Sequence, residues 1–156
     1  MLSLKKVILF FVLFVTAYCL WIAVRPAKII RTDHNAVFVE NVPVTDNGKI
    51  HWWFKNRKLL QNTWHVPDRP DNFTVIVMNF GGYEKLPNGT RDGSIDDYTC
   101  FTNNNSEPTD CVFNSIAFIV RGSLNGKIFI NIDDRVYLQS GSDKAVPYIS
   151  TPGLVK

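Results

Sequence analysis

Three histidines, three cysteines and one acidic cluster are the residues of this chain whose types could do chemistry. His34, His51 and His65 are far apart in sequence, and no Gly-x-Ser-x-Gly turn supplies a nucleophile for any of them to activate. Asp92, Asp96 and Asp97 lack the alternating oxygen ligands of a calcium loop, so they read as a solvated loop. An acid–base site would have to be assembled from Asp96, Asp97, Glu84 and His65, and only if folding brought them into one pocket. No glycine-rich phosphate loop follows a strand. Cys100 and Cys111 stand 11 apart in a polar stretch, a spacing suited to a disulfide closing a short loop in an oxidising compartment. Two free thiols are the other reading of the pair. Zinc would need a second Cys or His pair nearby, and none has ligand spacing. The chain is therefore expected not to be an enzyme, with no catalytic, cofactor or metal residues. Its expected site residues are the disulfide pair Cys100 and Cys111 and the candidate partner contacts Trp52, Trp53 and Tyr83.

The elements that would position these residues begin with an apolar run. Residues 7–24 are uncharged and lie between Lys5-Lys6 and Arg25. As a helix they would rise roughly 27 Å, close to the ~30 Å hydrocarbon core of a bilayer. A cleaved secretory signal starts the same way, but Ala17-Tyr18-Cys19 puts a bulky ring where a small residue is wanted before a cut. Trp21 followed by Arg25-Pro26 suits a helix end held at an interface. The expectation is a single transmembrane anchor over residues 1–24 and an α+β domain over residues 25–156. Basic residues flank the run on both sides, so they do not orient it; the cysteine pair places the domain outside the cytosol.

That domain has room for one core and too little for two. It carries fifteen Lys and Arg against all fourteen Asp and Glu, a net of +1, and has no basic stripe for nucleic acid. Lys28–Arg31 and Ala36–Val39 read as a hairpin around Asp33-His34-Asn35. Thr45 or Asp46 can cap a helix over about 46–62, with Ile50, Trp53, Phe54 and Leu60 near one face and Trp52 and Leu59 widening it. Lys55, Arg57 and Lys58 would face water or a neighbour. Two adjacent tryptophans cannot point the same way, so one should anchor the core while the other packs at its edge or serves as a partner anchor. Strands are expected over 72–80, 98–101, 112–120, 127–132 and 135–139, with Asn125-Gly126 turning a hairpin. Residues 81–97, 102–110 and 140 onward read as loops. The three Asn-x-Ser/Thr triplets, at Asn72, Asn88 and Asn104, matter only in a eukaryotic secretory route.

The ordered features resemble the enterobacterial putative membrane protein family. The residues that carry the resemblance are Trp21 and Arg25-Pro26, then Pro43-Val44-Thr45-Asp46-x-Gly48-Lys49-Ile50, Trp52-Trp53 and Asn56, then Cys100-Phe101 with Cys111, and Val136-Tyr137. The resemblance implies a single-span protein of the bacterial inner membrane facing the periplasm, and brings no activity or catalytic residues. The expected partners are membrane lipid through the anchor and an unidentified protein, with no nucleic acid. The expected function is a protein-binding module, in one version an immunity protein against a delivered toxin with its specificity in residues 81–97. The alternative is a structural or accessory subunit of a cell-envelope complex.

Overall fold

The computed structural model describes residues 4–69, 71–85, 94–101, 110–141 and 144–147. Helix α1 (Leu4–Val24) leads into a hairpin of β1 (Lys28–Asp33) and β2 (Ala36–Glu40), turned at His34 with φ 50°. Helix α2 (Asp46–Trp64) then carries the chain over the sheet, so that β3 (Phe73–Asn79) lies parallel to β2. β6 (Ile116–Gly122), β7 (Ile128–Ile132), β8 (Arg135–Gln139) and β9 (Ala145–Pro147) follow as an antiparallel meander. The seven strands are ordered β1-β2-β3-β6-β7-β8-β9. Between β3 and β6, a 3-10 turn (Ile95–Asp97) introduces a separate hairpin of β4 (Tyr98–Phe101) and β5 (Asp110–Phe113).

Strand alternation decides which face each side chain buries. Val37, Val39, Val75, Val77, Phe118, Val120, Ile130 and Ile132 point to one face and are covered by Ile50, Trp52, Trp53 and Leu60 of α2. Each such aliphatic or aromatic side chain contributes about 1.5–3 kcal/mol on leaving water. On the opposite face, Phe38 and Met78 meet Phe101 and Val112 of the β4–β5 hairpin. α2 starts where Thr45 Oγ1 accepts the Gly48 N–H at 3.1 Å. A Cβ at Gly48 would lie 2.8 Å from Pro43 Cβ, so only glycine lets the entering chain pass this close. The helix ends at His65, in the left-handed region at φ 53°.

The architecture is α+β, but one part of the expectation is overturned. Among the described residues no helix is long and apolar enough to cross a membrane. Lys5 and Lys6 lie inside the first turns of α1. Every described side chain of α1 is exposed.

Smaller differences have local causes. The strand expected over 112–120 is two strands. Asn114 N–H pairs with Asp97 O in the 3-10 turn that leads into the small sheet, while Ser115 O accepts the Asn79 N–H of the large one, so the chain changes sheets between them. β9 lies in a stretch read as loop. It forms because Ser140 N–H reaches back to Lys144 O and returns the chain along β8. Asp92, the turn signals at 87–89 and 92–93, and the polar residues 102–109 lie outside the described residues. So do Pro70, the Asn88 and Asn104 triplets and the tail beyond 147.

Candidate functional site

Three features of the domain could serve a function, and the first is the outer face of the β4–β5 hairpin. The register pairs Tyr98 with Phe113 and Cys100 with Cys111, so both pairs share the face opposite Phe101 and Val112, with Cys111 itself buried. The two sulfurs are bonded, which ties the strands directly together. Tyr98 and Phe113 meet edge to face at 5.5 Å, with Phe113 49% exposed. Glu84 extends this face through a two-way backbone bridge to Cys111, and the Tyr98 hydroxyl donates to Glu84 Oε2 at 3.3 Å. Its neighbour Tyr83 is 47% exposed and packs edge to face on Phe80 at 5.1 Å. The hairpin is held to the large sheet by Arg31, whose guanidinium carbon lies 3.3 Å from the Phe101 ring centre. Arg31 Nη1 also reaches the Tyr83 hydroxyl at 3.5 Å. The result is a set of half-exposed rings whose orientations are fixed by other rings and by a covalent cross-link.

The second feature is a cavity of about 280 Å³ where α2 crosses the strands. Trp53, Pro67, Phe73 and Ile128 form its apolar floor. Arg57, Lys58 and Gln61 form its polar wall, with Trp53, Arg57 and Gln61 stacked at four-residue spacing along one side of the helix. The Trp53 indole Nε1 is buried and has no hydrogen-bond partner. Phe73 tilts against Trp53 at 6.4 Å and its ring lies close against Gly122. A neighbouring cleft of about 300 Å³ is more polar, lined by His34, Asn35, Asp68, Arg69 and Asn72 among others.

The third feature joins the start of α2 to β8. Asp46, in the first turn of α2, forms an ion pair with Arg135 at 2.9 Å and accepts the Tyr137 hydroxyl. The carboxylate side chain is 17% exposed, and its charge also complements the helix N-terminus. The hydrogen bond to Asp46 pushes the Tyr137 phenol above its ordinary value, with burial and the negative charge of Asp46 adding to the effect. This is a structural clamp between helix and sheet.

Sequence-expected residues fall unevenly among these features. Cys100 and Cys111 are bridged. Tyr83 is half-exposed but lies on the other side of this strand edge, against Phe80 and Arg31. Trp52 and Trp53 are both buried, at 6% and 2% exposure. Trp52 packs edge to face on Phe118, while Trp53 floors the cavity. Leu59, expected on the buried stripe, is 49% exposed. Glu84, Asp96, Asp97 and His65 are exposed, and His65 sits at the C-terminal end of α2. Among the described residues no group of three His, Cys, Asp or Glu side chains could hold a metal ion. Sequence reasoning missed Phe113, the Asp46–Arg135–Tyr137 clamp and the cavity wall. The Trp53-x-x-x-Arg57-x-x-x-Gln61 spacing was a usable signal for the wall, whereas the clamp joins residues 91 apart and left none.

The model of a family of unknown function, described as enterobacterial putative membrane protein, matches residues 3–148. No curated protein and no solved structure matches the chain.

Proposed function

We propose that this chain, which belongs to the enterobacterial putative membrane protein family, presents a protein-binding domain at a membrane surface and meets its partner through the half-exposed rings at the edge of the β4–β5 hairpin, Phe113 on one side and Tyr83 on the other. The observation that carries this reading is the exposure of Tyr83 and Phe113 on rings that neighbours already hold in place. Rigid, half-exposed aromatics contribute contact area at low cost in side-chain entropy, which is why such residues dominate interface energetics. The disulfide beneath them supports placing the domain in the periplasm of the inner membrane, where such bonds persist. Helix α1 supports lipid contact, because a helix with apolar side chains exposed all round needs an apolar environment to cover them.

The test is chemical crosslinking in whole cells of the wild-type chain and of the Tyr83→Ser/Phe113→Ser variant. Both side chains are half-exposed, so the variant should fold. The reading predicts a discrete crosslinked species with the wild type that the variant loses. An unchanged species would refute the hairpin face as the contact. Two versions of the role make opposite demands on α1. An immunity protein for a delivered toxin should still protect after α1 is exchanged for an unrelated apolar helix. An accessory subunit of an envelope complex that uses α1 as an interface should lose its function.

A further inference from the structure

We infer that the free edge of β1 is an interface for a second copy of this chain. The two β1 strands pair antiparallel about a twofold axis, with Ile29 opposite Thr32 of the second copy. This interface does not depend on a partner at the hairpin.

The large sheet ends in β1 on one side and β9 on the other. β9 is three residues long and finishes on Pro147, which has no N–H to donate, so that edge is closed to pairing. β1 is six residues long and contains neither proline nor glycine. Backbone bonds fix which of its groups point outward. Asn35 O and Val39 O accept the N–H groups of Ile76 and Phe80, so the odd-numbered residues of β2 turn toward β3. Ala36, Phe38 and Glu40 therefore turn toward β1, where they stand opposite Asp33, Arg31 and Lys28. That leaves the N–H and C=O groups of Ile29 and Thr32 turned outward. Among the described residues no hydrogen bond from outside the β1–β2 ladder reaches them. An edge in this state is a template for another strand.

Spacing and charge both select a second β1 as that strand. A regular strand presents its bonding groups at every second residue, whereas Ile29 and Thr32 are separated by the register shift at Ile30. A second β1 carries the same shift. Ile29 then meets Thr32 of the second copy, Thr32 meets Ile29 of the second copy, and every outward group is paired. Pairing Ile29 with Ile29, or Thr32 with Thr32, leaves the other residue without a match. One residue further out, the same register sets Lys28 opposite Asp33 of the second copy on one face of the sheet. Lys28 is exposed and forms no ion pair among the described residues, although Glu40 stands across the ladder from it. The Asp33 side chain is 42% exposed and contacts His34 Nδ1 through Oδ1, which leaves Oδ2 for the lysine. Charges on an edge ordinarily discourage pairing; here each meets its opposite, at both ends of the paired strands. Such a contact is isologous and closes as a dimer.

The experiment uses the full chain in its native membranes, with Cys19→Ser removing the free thiol of α1. Chains carrying Lys28→Cys and differently tagged chains carrying Asp33→Cys are expressed alone and together, then mildly oxidised. In the inferred register, positions 28 and 33 of the two copies face each other as a non-hydrogen-bonded pair. Their Cα atoms lie about 4.5 Å apart, within reach of a disulfide. Two copies of position 28, or of position 33, stand roughly 16 Å apart along the strands and cannot bridge. The expected result is a disulfide-linked dimer carrying both tags from the mixture. Neither variant alone should give one, nor should Leu124→Cys, at a position 82% exposed in the β6–β7 turn. The mass of the purified chain in detergent is a second readout that needs no new cysteine. Lys28→Asp should weaken the dimer about tenfold by setting like charges opposite each other, and adding Asp33→Lys should restore it. No mixed disulfide overturns the interface. So does equal dimer from either variant alone, which would report random collision, or a dimer indifferent to Lys28→Asp. A disulfide from position 28 to a different protein would assign the edge to a foreign strand and overturn the second copy.

Discussion

Gly122→Ala should be among the most damaging single-methyl additions to this domain. A Cβ at position 122 would lie 2.2 Å from Phe73 Cε1, 2.5 Å from Cδ1 and 2.9 Å from Cζ. Ordinary contact begins near 3.4 Å, so the ring must withdraw by about 1.2 Å or β3 must part from β6. The half-buried ring can yield only toward the cavity it shares with Trp53, whose ring centre lies 6.4 Å away. Overpacking of this kind costs about 1–3 kcal/mol. For a domain of this size that lowers Tm by about 4–10 °C. The assay is thermal unfolding of the full chain in detergent, followed by far-ultraviolet circular dichroism, with tryptophan emission reporting on Trp53. A double-mutant cycle adds the decisive term. Once Phe73→Ala has removed the ring, Gly122→Ala should cost little, giving a coupling of about 1 kcal/mol or more. An unchanged Tm for Gly122→Ala, or strictly additive effects in the cycle, would refute the packing described for β3, β6 and α2.

Further consequences follow from the same contacts. Replacing Cys100 and Cys111 together by Ala should cost about 3 kcal/mol by freeing the loop in the unfolded chain, seen as a lower denaturant midpoint. The unfolded, unreduced wild-type chain should expose one reactive thiol, Cys19, to an alkylating label. Labelling of three thiols would contradict the bridge. The raised phenol of Tyr137 means that the folded state holds this proton more tightly than the unfolded chain. Its contribution to stability is therefore full below the ordinary tyrosine value near pH 10 and falls as pH rises past it. Asp46→Asn should bring Tyr137 back toward the ordinary value and weaken that alkaline loss, measurable by ultraviolet titration of the phenol and by unfolding at pH 9 and 11. Thr45→Ala should cost about 1 kcal/mol by leaving the Gly48 N–H without its cap, with the loss read from chemical denaturation.

What was legible in the sequence was what local pattern controls. The cap at Thr45, the hairpin around His34, the alternation of Phe73 to Asn79 and the Asn125-Gly126 turn each depend on a few neighbouring residues, and each element formed where expected. The parallel pairing of β2 with β3 depends on where α2 returns the chain, which periodicity does not encode. The break between Phe113 and Ile116 was hidden because the residues on both sides favour strands; only the competing partners of Asn114 and Ser115 divide them. The adjacent tryptophans show how tertiary packing overrides helical geometry. Phe118 receives one ring and Phe73 the other, so both are buried although they project from α2 in different directions. For the candidate sites, the cysteine spacing pointed to the hairpin. The cavity depends on Phe73, Pro67 and Ile128 converging beneath α2 from separate parts of the chain. The apolar run of α1 was plain in the sequence, but among the described residues no helix is long and apolar enough to cross a membrane.

The most direct test of the central claim is site-specific photocrosslinking of the full-length chain in its native membranes. A photoreactive residue is placed in turn at Tyr83, Phe113 and Leu124, the last being 82% exposed in the β6–β7 turn and away from the hairpin. The account predicts the same protein adduct from positions 83 and 113 and none from position 124. Equal labelling at all three positions, or no protein adduct at 83 and 113, would contradict a partner seated on the hairpin face.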